Sequence, residues 1–270
     1  MKDILKTVIS GLNSKKGDYC RIKHKRGWLE YLKDGDLIFR PYELHQTLRQ
    51  VIDRDDNRPR GDKLFCLRRK VKFTAKEDKS PYRPEEALER FIIVSSNPDN
   101  FYNQIPIGGG KESIDIGIRE NDSKFVFVEL KPWESTNSPL YALIESLKNL
   151  IEYRIIHKGN NKVIPKYDHL ELLILAPQAY YEKYKLIDNQ GVAQADKITI
   201  FKETLNAIST EFKTAISFMA LQISKQDFFR VCSNIYEDRG IEGQDKITLS
   251  RKDVIPVLAK DKWKLVVDSA

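Results

Sequence analysis

SIDIGIRENDSKFVFVELK, residues 113–131, is the stretch from which the fold is read. Isoleucines at 114, 116 and 118 recur with period two, the rhythm of a β-strand. The polar ENDS that follows reads as a turn centred near Asn121-Asp122, and KFVFVELK (124–131) reads as a second strand rich in Val and Phe. Folding the two strands back about that turn brings Asp115 opposite Val128 or Glu129. Alternation puts Glu129 and Lys131 on one face and Leu130 on the other. Two carboxylates and one ammonium therefore converge at the end of a hairpin. Like charges so close raise at least one carboxyl pKa, and a hard, oxygen-liganded divalent cation relieves the repulsion.

Outward from the hairpin the pattern stays regular. Upstream, Pro84 followed by EEALERFIIVSS reads as a helix with Pro in its first turn and acids near its start. FYNQIPI (101–107) is strand-like, and Gly108–Gly110 break it. Downstream, Ser138-Pro139 forms a cap and first-turn pair. Behind it, LYALIESLKNLIEYRII carries apolar residues at 140, 143, 144, 147, 150 and 151, the signature of an amphipathic helix. HLELLILAP (169–177) is a nearly continuous apolar strand, as expected of one buried on both faces. The order over 84–177 is helix, three strands, helix, strand, which packs naturally as a mixed sheet flanked by helices in an α/β protein.

That order, with Asp115 on one hairpin strand and Glu129-Leu130-Lys131 on the other, resembles the PD-(D/E)XK, or restriction-endonuclease-like, nuclease superfamily. The resemblance covers residues 84–177. It implies a restriction-endonuclease-like core with N- and C-terminal additions. It further implies that Asp115 and Glu129 hold Mg²⁺ or Mn²⁺, with the Leu130 carbonyl facing the metal and Lys131 beside the attacking water. A helix acid joins them in that family. Glu89, in the context ALERFII, is the preferred match; Glu86 stands in reserve, and Glu85 shares the same turn. The family's Gln-Leu-x-x-Tyr segment is matched in shape by NLIEY (149–153), with Asn149 in place of Gln. The Pro that often precedes the first Asp is replaced by Ile114. The implied activity is phosphodiester hydrolysis leaving a 5′-phosphate, on DNA rather than RNA and endonucleolytic rather than exonucleolytic.

Charge is consistent with a polyanionic partner. Residues 1–80 hold 21 Lys and Arg against 12 Asp and Glu, and the remainder 25 against 27, so the net +7 comes from the first third. Two basic-aromatic patches concentrate it: Arg21, Lys23, Lys25 and Arg26 before Trp28, and Arg68, Arg69 and Lys70 before Phe73. Basic groups of this kind track a phosphate backbone while the aromatics stack on bases. Glu145 and Lys148, three apart on the long helix, read either as a surface ion pair, the plainer reading, or as reserve site residues facing the cleft.

Composition narrows the rest. Cys20, Cys66 and Cys232 lie far apart, without a CxxC pair, so a zinc ribbon is not indicated and a reducing, cytoplasmic setting is expected. The four histidines lack metal-ligand spacing. GGGKES (108–113) departs from a P-loop at Ile105 and Glu112. No apolar run reaches membrane-spanning length, so no membrane partner is expected; the charge and the resemblance point to nucleic acid, with a homodimer or partner subunit left open. The expected organisation is a basic region to residue 80, a nuclease core over 81–180 and a C-terminal helical extension with short strands over 181–270.

Overall fold

The computed structural model describes residues 23, 28–33, 41–53, 71–76, 78–96, 99–107, 113–156, 169–240 and 246–269. In chain order the elements are α1 (Trp28–Lys33), α2 (Pro41–Asp53), β1 (Lys72–Thr74), α3 (Pro84–Ser95), β2 (Phe101–Pro106), β3 (Ser113–Arg119), β4 (Lys124–Leu130), α4 (Pro139–Ile156), β5 (His169–Pro177) and α5 (Gln178–Lys183). There follow α6 (Ala195–Phe212), β6 (Ile216–Leu221), α7 (Lys225–Asp238), β7 (Lys246–Thr248) and β8 (Lys264–Asp268).

The main sheet has six strands in the order β2-β3-β4-β5-β6-β8. The hairpin expected from 113–131 is present: β3 and β4 pair antiparallel with Ile116 opposite Val128. Extended by one step, this register sets Asp115 against Glu129. β4, β5 and β6 run parallel, and β8 returns antiparallel along β6. The chain is thus α/β, a mixed sheet flanked by helices.

Helices cover both faces, which is why β4 is buried without interruption from Phe125 to Leu130 rather than on alternate residues. One core lies between the sheet and α1, α2, α4 and α6 and holds Phe125, Phe127, Leu143, Leu147 and Phe201. The other lies under α3 and α7 and holds Val126, Val128, Phe91 and Phe228. Helix α4 begins as its sequence indicates, with Ser138 Oγ accepting the Tyr141 N–H at 3.1 Å. Pro84 occupies the first turn of α3.

Two expected boundaries do not separate the structure. The sheet does not end near residue 180, because β6 and β8 supply two of its six strands and their apolar residues Ile216, Phe218, Ala220 and Val267 complete the first core. The chain on both sides of the expected boundary at residue 80 is tied into the fold: Ala75 bridges Pro81, and β1 pairs with β7. Trp28, Leu29, Leu44 and Leu48, from the expected basic region, belong to the first core. Short strands with few apolar residues carry little periodic signal, and long-range pairing decides where they go.

Candidate active site

The hairpin departs from regular geometry at Asp115. In a regular strand, residues two or four apart share a face. Here Ile116 belongs to the second core and Ile114 to the first; on β2, Phe101 belongs to the second and Ile105 to the first. Both strands roll over between these pairs. On β2 the roll is made at Gln104, whose φ of 51° is left-handed, flanked by the ladder pairs Asn103–Ile116 and Ile105–Ile114. Gly117 makes room for it. A Cβ there would lie 2.3 Å from Ile105 Cδ1 and 2.6 Å from Phe125 Cζ.

On the other side of β3, the ladder with β4 extends no further than Ile116–Val128. The Asp115 carboxylate takes its place, with Oδ2 accepting the Leu130 N–H at 2.8 Å. Leu130 itself turns its side chain into the second core. Lys131 is fixed from the opposite neighbour, since its backbone N–H donates to Leu175 O of β5 at 2.9 Å. Asp115, Glu129 and Lys131 are therefore held at the carboxyl end of a parallel strand, where α/β sheets open crevices for ligands.

A cleft of about 690 Å³ opens there, with Glu85, Glu86, Glu89, Gln104, Asp115 and Trp133 among its walls. Glu129 and Lys131 are 8% and 5% exposed. The Lys131 ammonium is bonded to Glu129 Oε1 and, at 2.8 Å, to Glu145 Oε2 of α4. Burial disfavours that ammonium, yet Glu129, Glu145, Asp115 and Glu85 around it hold its pKa well above the ordinary value. Burial pushes the Asp115 carboxyl well up, and Glu85 adds to the effect against the pull of Lys131. Burial likewise raises Glu129 well above its usual range, with Glu145 and Asp115 adding to it and Lys131 opposing. Glu85 is also raised by burial, opposed by Lys131. Burial works against charge on Glu145 too, but Lys131 and the bonds to it prevail and its pKa is lowered.

The helix acids divide differently from the sequence expectation. Glu89 lines the cleft, but its Oε1 is bonded to the buried Arg90 guanidinium and its Oε2 to Gln104 Nε2 at 2.8 Å. Burial, only partly offset by Arg90, Gln104 and Asn103, raises it to about 7. Glu86 accepts from Arg90 Nη2 at 3.3 Å. Glu85 shares the field of both Lys131 and Asp115, and Glu89 also acts on Asp115. All three helix acids named from the sequence line the cleft; Glu86 and Glu89 are bonded to Arg90, whereas Glu85 faces Lys131. Glu85 lies one turn before Glu89, so helical spacing had already placed it on that face.

Other expected residues fall as follows. Glu145 is no surface pair with Lys148; it belongs to the cluster, and the 3%-exposed Lys148 lies 3.6 Å from Glu152 and also acts on Glu145. Asn149 is buried on α4, and Tyr153 of the same segment meets Phe127 edge-on at 5.0 Å. Lys23 accepts the Ser138 N–H at its carbonyl and lies 5.3 Å over the Tyr141 ring, which seats it on the start of α4. Arg21, Lys25, Arg26, Arg68, Arg69 and Lys70 lie outside the described residues. Gln104 had no signal in the sequence, since its left-handed φ is imposed by the roll of β2. Tyr180, buried beside Lys131 and Glu129 with its hydroxyl on Asn137 O at 2.9 Å, looks in sequence like any core aromatic.

Among the described residues, no three His, Cys, Asp or Glu side chains are arranged as a ready metal-binding group. The chemistry of the set nevertheless fits a divalent cation. Four carboxylates (Asp115, Glu129, Glu145 and Glu85) surround the one ammonium of Lys131, and Lys148 is shared with Glu152. The surplus is of hard oxygen donors, and it is open to the cleft at Asp115. No family model matches the chain, and neither does any curated protein or solved structure.

Proposed function

We propose that the chain is a metal-dependent nuclease of the PD-(D/E)XK type, hydrolysing phosphodiester bonds in DNA, with Asp115, Glu129 and Lys131 at its centre. The observation that carries this reading is the excess of carboxyl groups over cations around Lys131, reaching an open cleft at Asp115 and Glu85. A purely structural network would be expected to balance, because buried unpaired charge is costly.

Asp115, Glu129 and Glu85 are the residues that would hold Mg²⁺ or Mn²⁺. Bound there, such an ion supplies Lewis acidity and lowers the pKa of a coordinated water. The chain's own groups do the rest. Asp115 is oriented by the Leu130 N–H, and Lys131 by the Leu175 carbonyl on its backbone and by Glu145 on its side chain. With its pKa raised, Lys131 is an ammonium at neutral pH. Beside the coordinated water it would orient that water or neutralise charge growing on the phosphate.

A second reading draws on a specific feature. Lys131 is already paired with both Glu129 and Glu145. On that ground the cluster would be a structural network in a non-catalytic nucleic-acid-binding protein that keeps the fold. Plasmid incubated with the purified chain and Mg²⁺ or Mn²⁺, beside Lys131→Ala, separates the two. Cleavage by the native chain alone supports the nuclease. Cleavage by neither, on double- and single-stranded DNA alike, removes it and leaves the binding protein.

A further inference from the structure

Glu129 and Lys131 are recessed beneath a cleft of limited size. Glu129 and Lys131 are nearly covered, and the cleft above Asp115 measures about 690 Å³. That lies within the range of small-molecule pockets, roughly 300–1,000 Å³. An intact duplex presents its phosphates on a wide cylinder whose major groove alone is about 12 Å across, and it is too stiff to fold a phosphate into such a recess. A single strand bends freely and carries its phosphates on a thin backbone.

The mouth of the cleft is furnished for such a strand. Tyr82 and Arg83, just before α3, form a ridge between this cleft and a smaller adjoining hollow of about 240 Å³ that reaches Thr74. Tyr82 is 53% exposed and, with Tyr42, is one of two exposed tyrosines among the described residues. Its backbone is fixed, because its N–H donates to Thr74 O at 2.8 Å. The Arg83 side chain is 72% exposed and reaches Glu86 only at 3.9 Å. Across the cleft stands Lys225, bonded to Glu134 and lying over the Phe229 ring. A rigid exposed ring beside a loosely held guanidinium, with a second cation opposite, is the arrangement that grips unpaired bases and the backbone between them.

We infer that the substrate enters as a single strand, with a base stacked on Tyr82 and the neighbouring phosphate on Arg83, so that these two residues set a preference for unpaired over duplex nucleic acid. The inference rests on the nuclease reading for the identity of the ligand, but not on turnover.

The test is binding of a fluorescent 20-nucleotide single strand and of the same sequence as a duplex. Anisotropy is read with the full chain in Ca²⁺, with Lys131→Ala as a parallel background. The single strand is expected to bind at least about tenfold more tightly than the duplex, the scale of one or two stacked bases. Tyr82→Ala should lose about tenfold for the strand and little for the duplex, while Tyr82→Phe retains the native value. Arg83→Ala should weaken strand binding and flatten its salt dependence. Both residues are exposed, and a circular dichroism melt confirms that the variants fold. Equal affinity for strand and duplex, no affinity for either, or a Tyr82→Ala variant that binds like the native chain each overturns the inference. Failure of the chain to cut DNA while these binding results hold would sink the nuclease reading and leave the strand site standing. Efficient cutting of relaxed duplex, as fast as of single strand, would do the reverse.

Discussion

Helix α3 carries acids into two clusters, and the two are built to different rules. Glu86 and Glu89 converge on one buried guanidinium, Arg90, which also donates from Nε to Lys72 O at 3.3 Å. Gln104 adds a donor to that set, and Glu89, raised to about 7, takes up a proton readily. One turn back, Glu85 joins Asp115, Glu129 and Glu145 around Lys131, and there the acids outnumber the cations. Both clusters border the same cleft. The difference teaches that buried charge alone does not mark a site. A planar, multiply donating Arg can bond several acceptors of a cluster at once, whereas a point-charge Lys among several acids leaves acceptors over, which is what the proposed metal site requires.

The largest effect expected from this contrast lies in catalysis. Lys131→Ala should reduce DNA cleavage by at least about 100-fold, the scale of losing one positioned charge-stabilising donor. Cleavage rates in Mn²⁺ on single-stranded DNA and on plasmid measure it. A variant that cuts at the native rate would place the chemistry elsewhere. Arg90→Met should instead be a stability mutant, costing about 3–5 kcal/mol by leaving Glu89 and Glu86 without their partner. Urea unfolding reads that loss; a change below 1 kcal/mol would mean that Arg90 does not hold its cluster together.

The pH dependence follows from Glu89. Burial, outweighing Arg90, raises it from 4.5 to about 7 in the fold. The folded state thus holds a proton there that the unfolded chain releases earlier. Its contribution to stability is fully present below about pH 4.5 and is lost as pH rises through about 7. Glu89→Gln should remove this slope, a difference of a few kcal/mol across the window, at about 1.4 kcal/mol per pKa unit. Urea midpoints at pH 4.5, 6 and 7.5 for both proteins measure the slopes, and parallel slopes would refute the assignment.

Much of this was legible in the residues. The alternating isoleucines, the ENDS turn and the Val/Phe run located the hairpin, and its register sets Asp115 against Glu129 as the turn required. The helix with Pro84 and the Ser138-Pro139 start of α4 were equally plain. What escaped was whatever depends on contacts between distant segments. β6 and β8 are short and join the sheet only by pairing with strands more than 30 residues away. Glu145 reads as a surface residue until α4 lays it over Lys131. Glu85 and Glu89 sit on one helical face, and only the direction taken by Arg90 separates their roles. The roll at Gln104 and Asp115 has no local signature at all, since an ordinary side chain occupies a backbone conformation that glycine usually fills.

The smallest expected effect is the sharpest discriminator between the clusters, because its sign is opposite in the two. Asp115→Asn removes one acid from the acid-rich set while keeping a side-chain oxygen to accept the Leu130 N–H. In the absence of divalent cations this should stabilise the fold by about 1 kcal/mol, the familiar gain when a strained functional site is relieved. Added Mn²⁺ should then raise the melting temperature of the native chain and not of the variant, so that the order of stability narrows or inverts. If Asp115→Asn destabilised the metal-free protein as Arg90→Met is expected to, the charge around Lys131 would be balanced after all. The cluster would then be a brace between α4 and the sheet, with no call for a cation.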